Sequence, residues 1–89
     1  MIKENLIILS GKGCPGCRIL ERKLGDKVPV YDITENNDAY NLAQKEEILA
    51  VPTVMYKDNG KWNKCRVYYE DGKVVIGCKD KKFEFEEKE

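Results

Sequence analysis

Apolar residues in the first part of the chain form short runs separated by a segment with helical spacing. Leu6 to Ser10 is an apolar run, which predicts a central strand buried on both faces. Apolar positions recur at helical spacing over Pro15 to Leu24, which predicts a helix, and Val28 to Ile33 predicts a second strand. Because strand, helix and strand follow one another as a βαβ unit, the two strands should be parallel.

A second helix and a third strand are predicted next. Asn36 to Asp38 offer possible N-cap side chains ahead of a helix whose apolar face extends towards Leu49. This helix must end before Pro52, because the residue before a proline favours extended backbone. Thr53 to Lys57 then predicts a strand, which is closed by a strong turn signal at Asp58 to Gly60.

The last third of the chain predicts an antiparallel hairpin. Lys64 to Glu70 and Lys73 to Cys78 are strand-like and are joined by Asp71-Gly72, a two-residue type I′ turn signature. This turn sets a register in which Cys65 faces Cys78, on a face that is otherwise apolar. At such a non-hydrogen-bonded position the Cα atoms would lie about 4.5 Å apart, at the short edge of the disulfide range.

Two interpretations of the tail, Lys79 to Glu89, stay open. Phe83 and Phe85 alternate with charged residues, and this period of two favours a short strand. The remaining residues are rich in Lys and Glu and fit a frayed terminal helix equally well.

Composition limits the class of protein. The chain of 89 residues is short enough for a single domain over 1–89, and its 16 basic and 16 acidic residues give a formal net charge of zero. Nothing in this charge balance indicates a nucleic acid or a membrane as partner. We also expect the protein to be a monomer. Without histidine, Cys–His hydrolases, Ser–His–Asp triads and imidazole zinc sites are excluded. No signal peptide is predicted, so we expect a cytoplasmic protein, in which disulfides are mostly transient and catalytic.

The candidate chemistry lies in Cys14-Pro15-Gly16-Cys17, between the first strand and the first helix. The free N–H groups at a helix start and the helix dipole favour negative charge, so the pKa of the Cys14 thiol should be lowered. Cys17, one turn later, should be close enough to form a disulfide with Cys14. A Cys-x-x-Cys pair in this strand–loop–helix context predicts a redox-active dithiol.

Together with Val51-Pro52-Thr53 at the start of a later strand, this motif resembles the thioredoxin superfamily and, by size, its glutaredoxin branch. The resemblance implies a thioredoxin-like α/β fold: a βαβ unit, a second helix and antiparallel strands with an extra hairpin. It also implies that Pro52 is cis and stands beside the reactive cysteines, and that the backbone of Val51 pairs with the bound substrate. The family's last helix would begin at Asp80.

The resemblance also implies a function, dithiol–disulfide oxidoreduction, with Cys14 as nucleophile and Cys17 as resolving cysteine. Its substrates would be disulfide-containing proteins or glutathione-mixed disulfides, and its electrons would come from glutathione or from a flavin-dependent thioredoxin reductase, with no bound cofactor. The family's glutathione site is matched by Lys12 and by the loop with Val51 and Pro52, and half-matched by Gly77. Glutathione is the donor that we expect.

Three alternatives stay open at this point. The four cysteines could together hold zinc or an iron–sulfur cluster, provided that the two pairs converge within about 4 Å of one point. The chain could also be an adaptor without redox activity. For Cys65 and Cys78 we favour two reduced cysteines in a half-buried sheet face, and the alternative is a reversible cross-strand disulfide that acts as a second redox pair.

Overall fold

The computed structural model describes residues 1–88, which form one mixed sheet and two helices. The elements in chain order are β1 (Leu6–Ser10), α1 (Pro15–Leu24), β2 (Val30–Asp32), α2 (Asn37–Lys45), β3 (Thr53–Asp58), β4 (Lys61–Glu70), β5 (Lys73–Cys78) and β6 (Lys81–Glu86). The sheet order is β2-β1-β3-β4-β5-β6. Within the described residues, neither helix has the length and apolar character needed to span a membrane.

Several predicted elements are confirmed. Strand β1 and helix α1 have the predicted bounds, and β1 pairs with β2 in parallel while it pairs with β3 in antiparallel fashion. The hairpin register is also confirmed, since Val67 lies opposite Ile76 and Tyr69 lies opposite Val74. Local signals, a proline at the first helical turn and an Asp-Gly turn, therefore placed these elements correctly.

The predicted thioredoxin-like α/β fold is wrong. Residues 1–88 form a six-stranded mixed sheet with only two short helices, and 22% of the structure is helical against 41% in strands. The helix that the resemblance placed from Asp80 onward is replaced by β6, which pairs with β5. Phe83 and Phe85 explain why this segment is a strand, because they lie opposite Ile76 and Val74 and pack against the same core.

The sheet buries an apolar core on each face. On one face, α1 packs against the sheet together with the inward side chains of β5, and the buried residues are Ile8, Leu20, Leu24, Val28, Val54, Val74, Ile76 and Cys78. On the other face, α2 covers the sheet, and the buried residues are Ile7, Leu9, Ala39, Leu42, Ala43 and Met55. Burying β1 on both faces explains its continuous apolar sequence.

Strand β4 joins the two parts of the sheet. Its first half, up to Cys65, pairs with β3, and its second half, from Arg66 to Glu70, pairs with β5. The end of the described chain then reaches α1, where the backbone N–H of Lys88 donates to the carbonyl of Lys23 at 2.8 Å. The last strands therefore contact the helix that follows the Cys-x-x-Cys motif.

Candidate active site

Cys14 lies at the N-cap of α1, at the carboxyl end of β1. Its backbone is extended (φ −112°, ψ 97°), and its Sγ accepts the backbone N–H of Cys17 at 3.1 Å. The predicted position at a helix start is thus confirmed. A sulfur that accepts a helix N–H, close to the positive end of the dipole, is in an environment that stabilises a thiolate.

Cys14 and Cys17 form a disulfide with a Cα–Cα distance of 5.2 Å. The two cysteines differ in exposure, since Cys14 is half-buried and Cys17 is 0% exposed. The helix imposes this difference, because Cys17 points into the protein on the same side as Leu20 and Leu24. Of the two cysteines, only Cys14 thus has solvent access.

The loop that precedes β3 lies beside the disulfide. The Sγ of Cys14 is 3.5 Å from the carbonyl oxygen of Val51, and a Cβ at Gly16 would lie 3.4 Å from the Cδ of Pro52. The Val51–Pro52 peptide bond is cis. Thr53 has a different place: its hydroxyl donates to the carbonyl of Ala50 at 2.7 Å, so its side chain fixes the loop instead of facing the sulfur.

The charged groups near the helix start are paired with one another. Lys12 is exposed, and its Nζ lies 3.6 Å from Glu35, while Arg18 pairs with Glu21 at 2.9 Å. The hydroxyl and backbone N–H of Thr34 both donate to Asp32 and lower the pKa of its carboxyl, with smaller contributions from the charges of Lys12 and Arg18. Lys12 thus lies among acidic groups near the dithiol.

Gly77 is not brought to the dithiol. It lies in β5 opposite Arg66 of β4, and β5 is two strands away from β3, a separation of about 10 Å. The half-match to a glutathione site therefore does not converge with the loop in which Val51 lies next to Cys14 and Pro52 lies next to Gly16.

Leu49 was placed wrongly on a helix face. Helix α2 ends at Lys45, and Leu49 is 96% exposed in the loop between α2 and β3. A small pocket of about 120 Å³ lies next to it, lined by Ile33, Ile48, Leu49, Ala50 and Val51. Sequence reasoning missed this apolar surface beside the dithiol loop, although the apolar run at 48–51 directly before Pro52 was a usable signal.

Cys65 and Cys78 form a second disulfide, across β4 and β5. Their Cα atoms are 4.4 Å apart, close to the distance that the hairpin register predicted. The structure thus differs from the reduced pair that we favoured, because the register brings the two side chains together at a closely spaced position. Cys78 is 2% exposed and belongs to the core.

The structure does not bring the four cysteines to one point. Each pair is closed by its own disulfide. Within residues 1–88, no three Cys, Asp, Glu or His side chains are grouped in a way that could hold a metal ion. The arrangement therefore offers two separate sulfur pairs, of which only the first lies at a helix start.

No protein-family model, curated protein or solved structure matches this chain. The resemblance of its motifs to glutaredoxins accordingly stays a prediction.

Proposed function

We propose that the protein is a dithiol–disulfide oxidoreductase that reduces disulfides of proteins or mixed disulfides with glutathione. The observation that carries this proposal is the position of Cys14 at the N-cap of α1, where the sulfur of this half-buried residue accepts the N–H of Cys17. In the reduced protein the same N–H and the helix dipole would lower the pKa of the Cys14 thiol, and the thiolate is the nucleophile in thiol–disulfide exchange.

The reaction has two steps. The Cys14 thiolate attacks one sulfur of the substrate disulfide, forms a mixed disulfide with it and releases the other sulfur as a thiolate, which takes a proton from water. Cys17 then loses its proton and attacks the Sγ of Cys14, so that the second substrate sulfur leaves. The substrate gains two electrons and two protons, and the protein becomes oxidised to the Cys14–Cys17 disulfide.

The loop at Val51 supplies the substrate-binding surface in this proposal. Its carbonyl oxygen is 3.5 Å from the reactive sulfur, so a chain that is covalently attached to Cys14 has to pass this backbone. Pro52 limits access from the side of Gly16. The hydroxyl of Thr53 contributes indirectly, because it holds the carbonyl of Ala50 and with it the loop.

The donor that regenerates the dithiol is proposed to be glutathione, with a flavin-dependent thioredoxin reductase as the other candidate. Lys12 is the cation closest in sequence to Cys14, and it would have to exchange Glu35 for a carboxylate of glutathione. Because this ion pair is exposed, we expect its replacement to cost little free energy. No bound cofactor is needed by either route.

The proposed location is the cytoplasm, and the proposed working unit is a monomer. Disulfides in the cytoplasm are mostly transient and catalytic, so both sulfur pairs would be opened there by cellular reductants. Rapid acid quenching of cells followed by alkylation tests this point. If Cys65 and Cys78 were fully joined in the quenched sample, an oxidising compartment would be favoured instead.

Turnover of a disulfide substrate tests the function. Wild-type protein is supplied with insulin and, as electron source, either glutathione with its reductase or thioredoxin reductase. We expect reduction with one of the two sources, and we expect Cys14→Ser to abolish it while the double variant Cys65→Ser/Cys78→Ser keeps it. Absence of turnover with both sources, or full activity of Cys14→Ser, would contradict the proposal.

A further inference from the structure

A group of basic side chains surrounds Gly77 on the outer face of the second half of the sheet. Gly77 lies between Arg66 of β4 and Lys82 of β6, which are its partners across the two strand pairs. Nothing lies within 4 Å of the position that a Cβ on Gly77 would take. Arg66 and Lys82 therefore flank a bare patch of backbone, and their Cα atoms are about 10 Å apart.

This patch is part of a larger basic cavity. The cavity has a volume of about 460 Å³, and Lys79 and Lys81 also line it, whereas Asp80 is the acidic residue that lines it. Within residues 1–88, Arg66, Lys79 and Lys81 have no carboxylate within 4.0 Å, and Lys82 shares Glu84 with Lys73. A chain with a net charge of zero thus concentrates cations at one end of its sheet.

The basic cavity is connected to the dithiol through the sheet. Arg66 follows Cys65, whose partner in β3 is Val54, and Val54 is only two residues from Pro52. Because β3 and β4 are antiparallel, Arg66 and its partner Gly77 lie level with Thr53. With strand spacings of about 4.8 Å and a rise of about 3.3 Å per residue, Gly77 is about 12 Å from Val51, whose carbonyl oxygen is 3.5 Å from the sulfur of Cys14, so Gly77 lies roughly 15 Å from that sulfur. An extended chain covers this distance with about five residues.

We infer that the basic cavity binds an acidic segment of the protein substrate, about five residues away from the cysteine that reacts with Cys14. This inference rests on the proposed function and specifies its substrate class. A carboxylate-rich segment would be held by Arg66 and Lys82 over Gly77, and Arg66 can bind a carboxylate through two parallel hydrogen bonds. A nucleic acid would share the negative charge, but it carries no disulfide that could react with Cys14.

Two matched peptides test the inference. Each carries one cysteine in a disulfide with a chromophoric thiol, and a four-residue segment begins five residues from that cysteine. The segment is Asp-Glu-Asp-Glu in one peptide and Asn-Gln-Asn-Gln in the other. We expect kcat/KM to be about fivefold higher for the acidic peptide at low salt, and this preference to vanish at about 0.5 M sodium chloride.

Variants assign the effect to the cavity. Arg66→Gln/Lys82→Gln should remove the preference and raise KM with kcat unchanged. Lys3→Gln/Lys45→Gln removes the same charge from exposed positions outside the cavity and should keep the preference. Equal kcat/KM for both peptides in the wild-type protein would overturn the inference. An equal loss in both double variants would overturn it too, since the effect would then come from overall charge alone.

A binding measurement separates this inference from the proposed function. A fluorescent acidic peptide without cysteine is titrated with oxidised protein and followed by anisotropy, and we expect binding that Arg66→Gln/Lys82→Gln weakens about fivefold. If this result is obtained while neither peptide is reduced, the proposed redox function is wrong and the assignment of the basic cavity as an anion-binding site is retained. A single-stranded oligonucleotide of equal length that binds more tightly than the peptide would overturn the assignment to an acidic protein segment.

Discussion

The two disulfides of this protein have the same chemistry and opposite surroundings. Cys14–Cys17 joins residues within one helical turn, at a helix start, and Cys14 is only half-buried. Cys65–Cys78 joins two strands, and Cys78 is enclosed by the core. A helix N–H and solvent access favour thiol–disulfide exchange and burial opposes it, so we expect Cys14–Cys17 to exchange faster than Cys65–Cys78.

The largest expected difference between the two pairs is in their reactivity. In fully reduced protein at pH 7, we expect Cys14 to react with iodoacetamide at least about 100-fold faster than Cys78, because thiolate character and access act in the same direction. Peptide mapping by mass spectrometry over time measures both rates. In concentrated guanidinium the alkylation rates of Cys14 and Cys78 should become similar. Similar rates in the folded protein would contradict the expected difference in reactivity.

The second expected difference is in stability. In the Cys14→Ser/Cys17→Ser background, reduction of Cys65–Cys78 should lower the free energy of unfolding by about 2–3 kcal/mol, because the bond closes a loop between strands β4 and β5. Urea unfolding with and without dithiothreitol measures this. Cys65→Ala/Cys78→Ala in the same background is the control and should not respond to the reductant. A response below about 0.5 kcal/mol would argue against a stabilising role.

A smaller effect is expected at the loop beside Cys14. Thr53→Val removes the hydrogen bond to the carbonyl of Ala50, which should cost about 1 kcal/mol of unfolding free energy. Because that bond fixes the loop at Val51, KM for a disulfide substrate should rise, while alkylation of Cys78 stays as slow as in the wild type. A KM equal to that of the wild type would show that the hydrogen bond of Thr53 does not contribute to substrate binding.

The smallest expected effect is electrostatic. Asp32 interacts with Lys12 and Arg18, which flank the Cys-x-x-Cys motif, and its lowered pKa keeps its carboxylate charged through the mildly acidic range. Removing a negative charge favours a thiolate, so Asp32→Asn should lower the pKa of the reduced Cys14 thiol slightly. The pH dependence of Cys14 alkylation measures this, with Asp26→Asn as a control. A raised pKa would contradict the assigned sign.

The dithiol and its surroundings were predictable because their signals are local. The apolar run of β1, the proline at the first turn of α1 and the spacing of Cys14 and Cys17 act within a few residues of one another. The Asp-Gly turn likewise fixed the register that joins Cys65 to Cys78. Each of these features is decided by short-range geometry, which the order of residues carries directly.

The fold class and the surface of the site were not predictable in the same way. Strand β6 depends on Phe83 and Phe85 meeting Ile76 and Val74, and a short segment rich in Lys and Glu does not reveal such a partner. The pairing of Lys12 with Glu35 joins two loops that are distant in sequence. The basic cavity needs three strands in register around Gly77, and net charge hides it because acidic residues elsewhere balance it.

The contact between the end of the described chain and α1 has a practical consequence. The Nζ of Lys23 is 2.8 Å from Glu87 and 5.1 Å from the centre of the Tyr69 ring, and Lys88 bonds to the backbone of Lys23. These contacts lie at the far end of the helix, about 15 Å from Cys14 for ten residues of α-helix. A label attached at Lys88 would consequently lie at the opposite end of α1 from Cys14 and leave the surroundings of that cysteine unchanged.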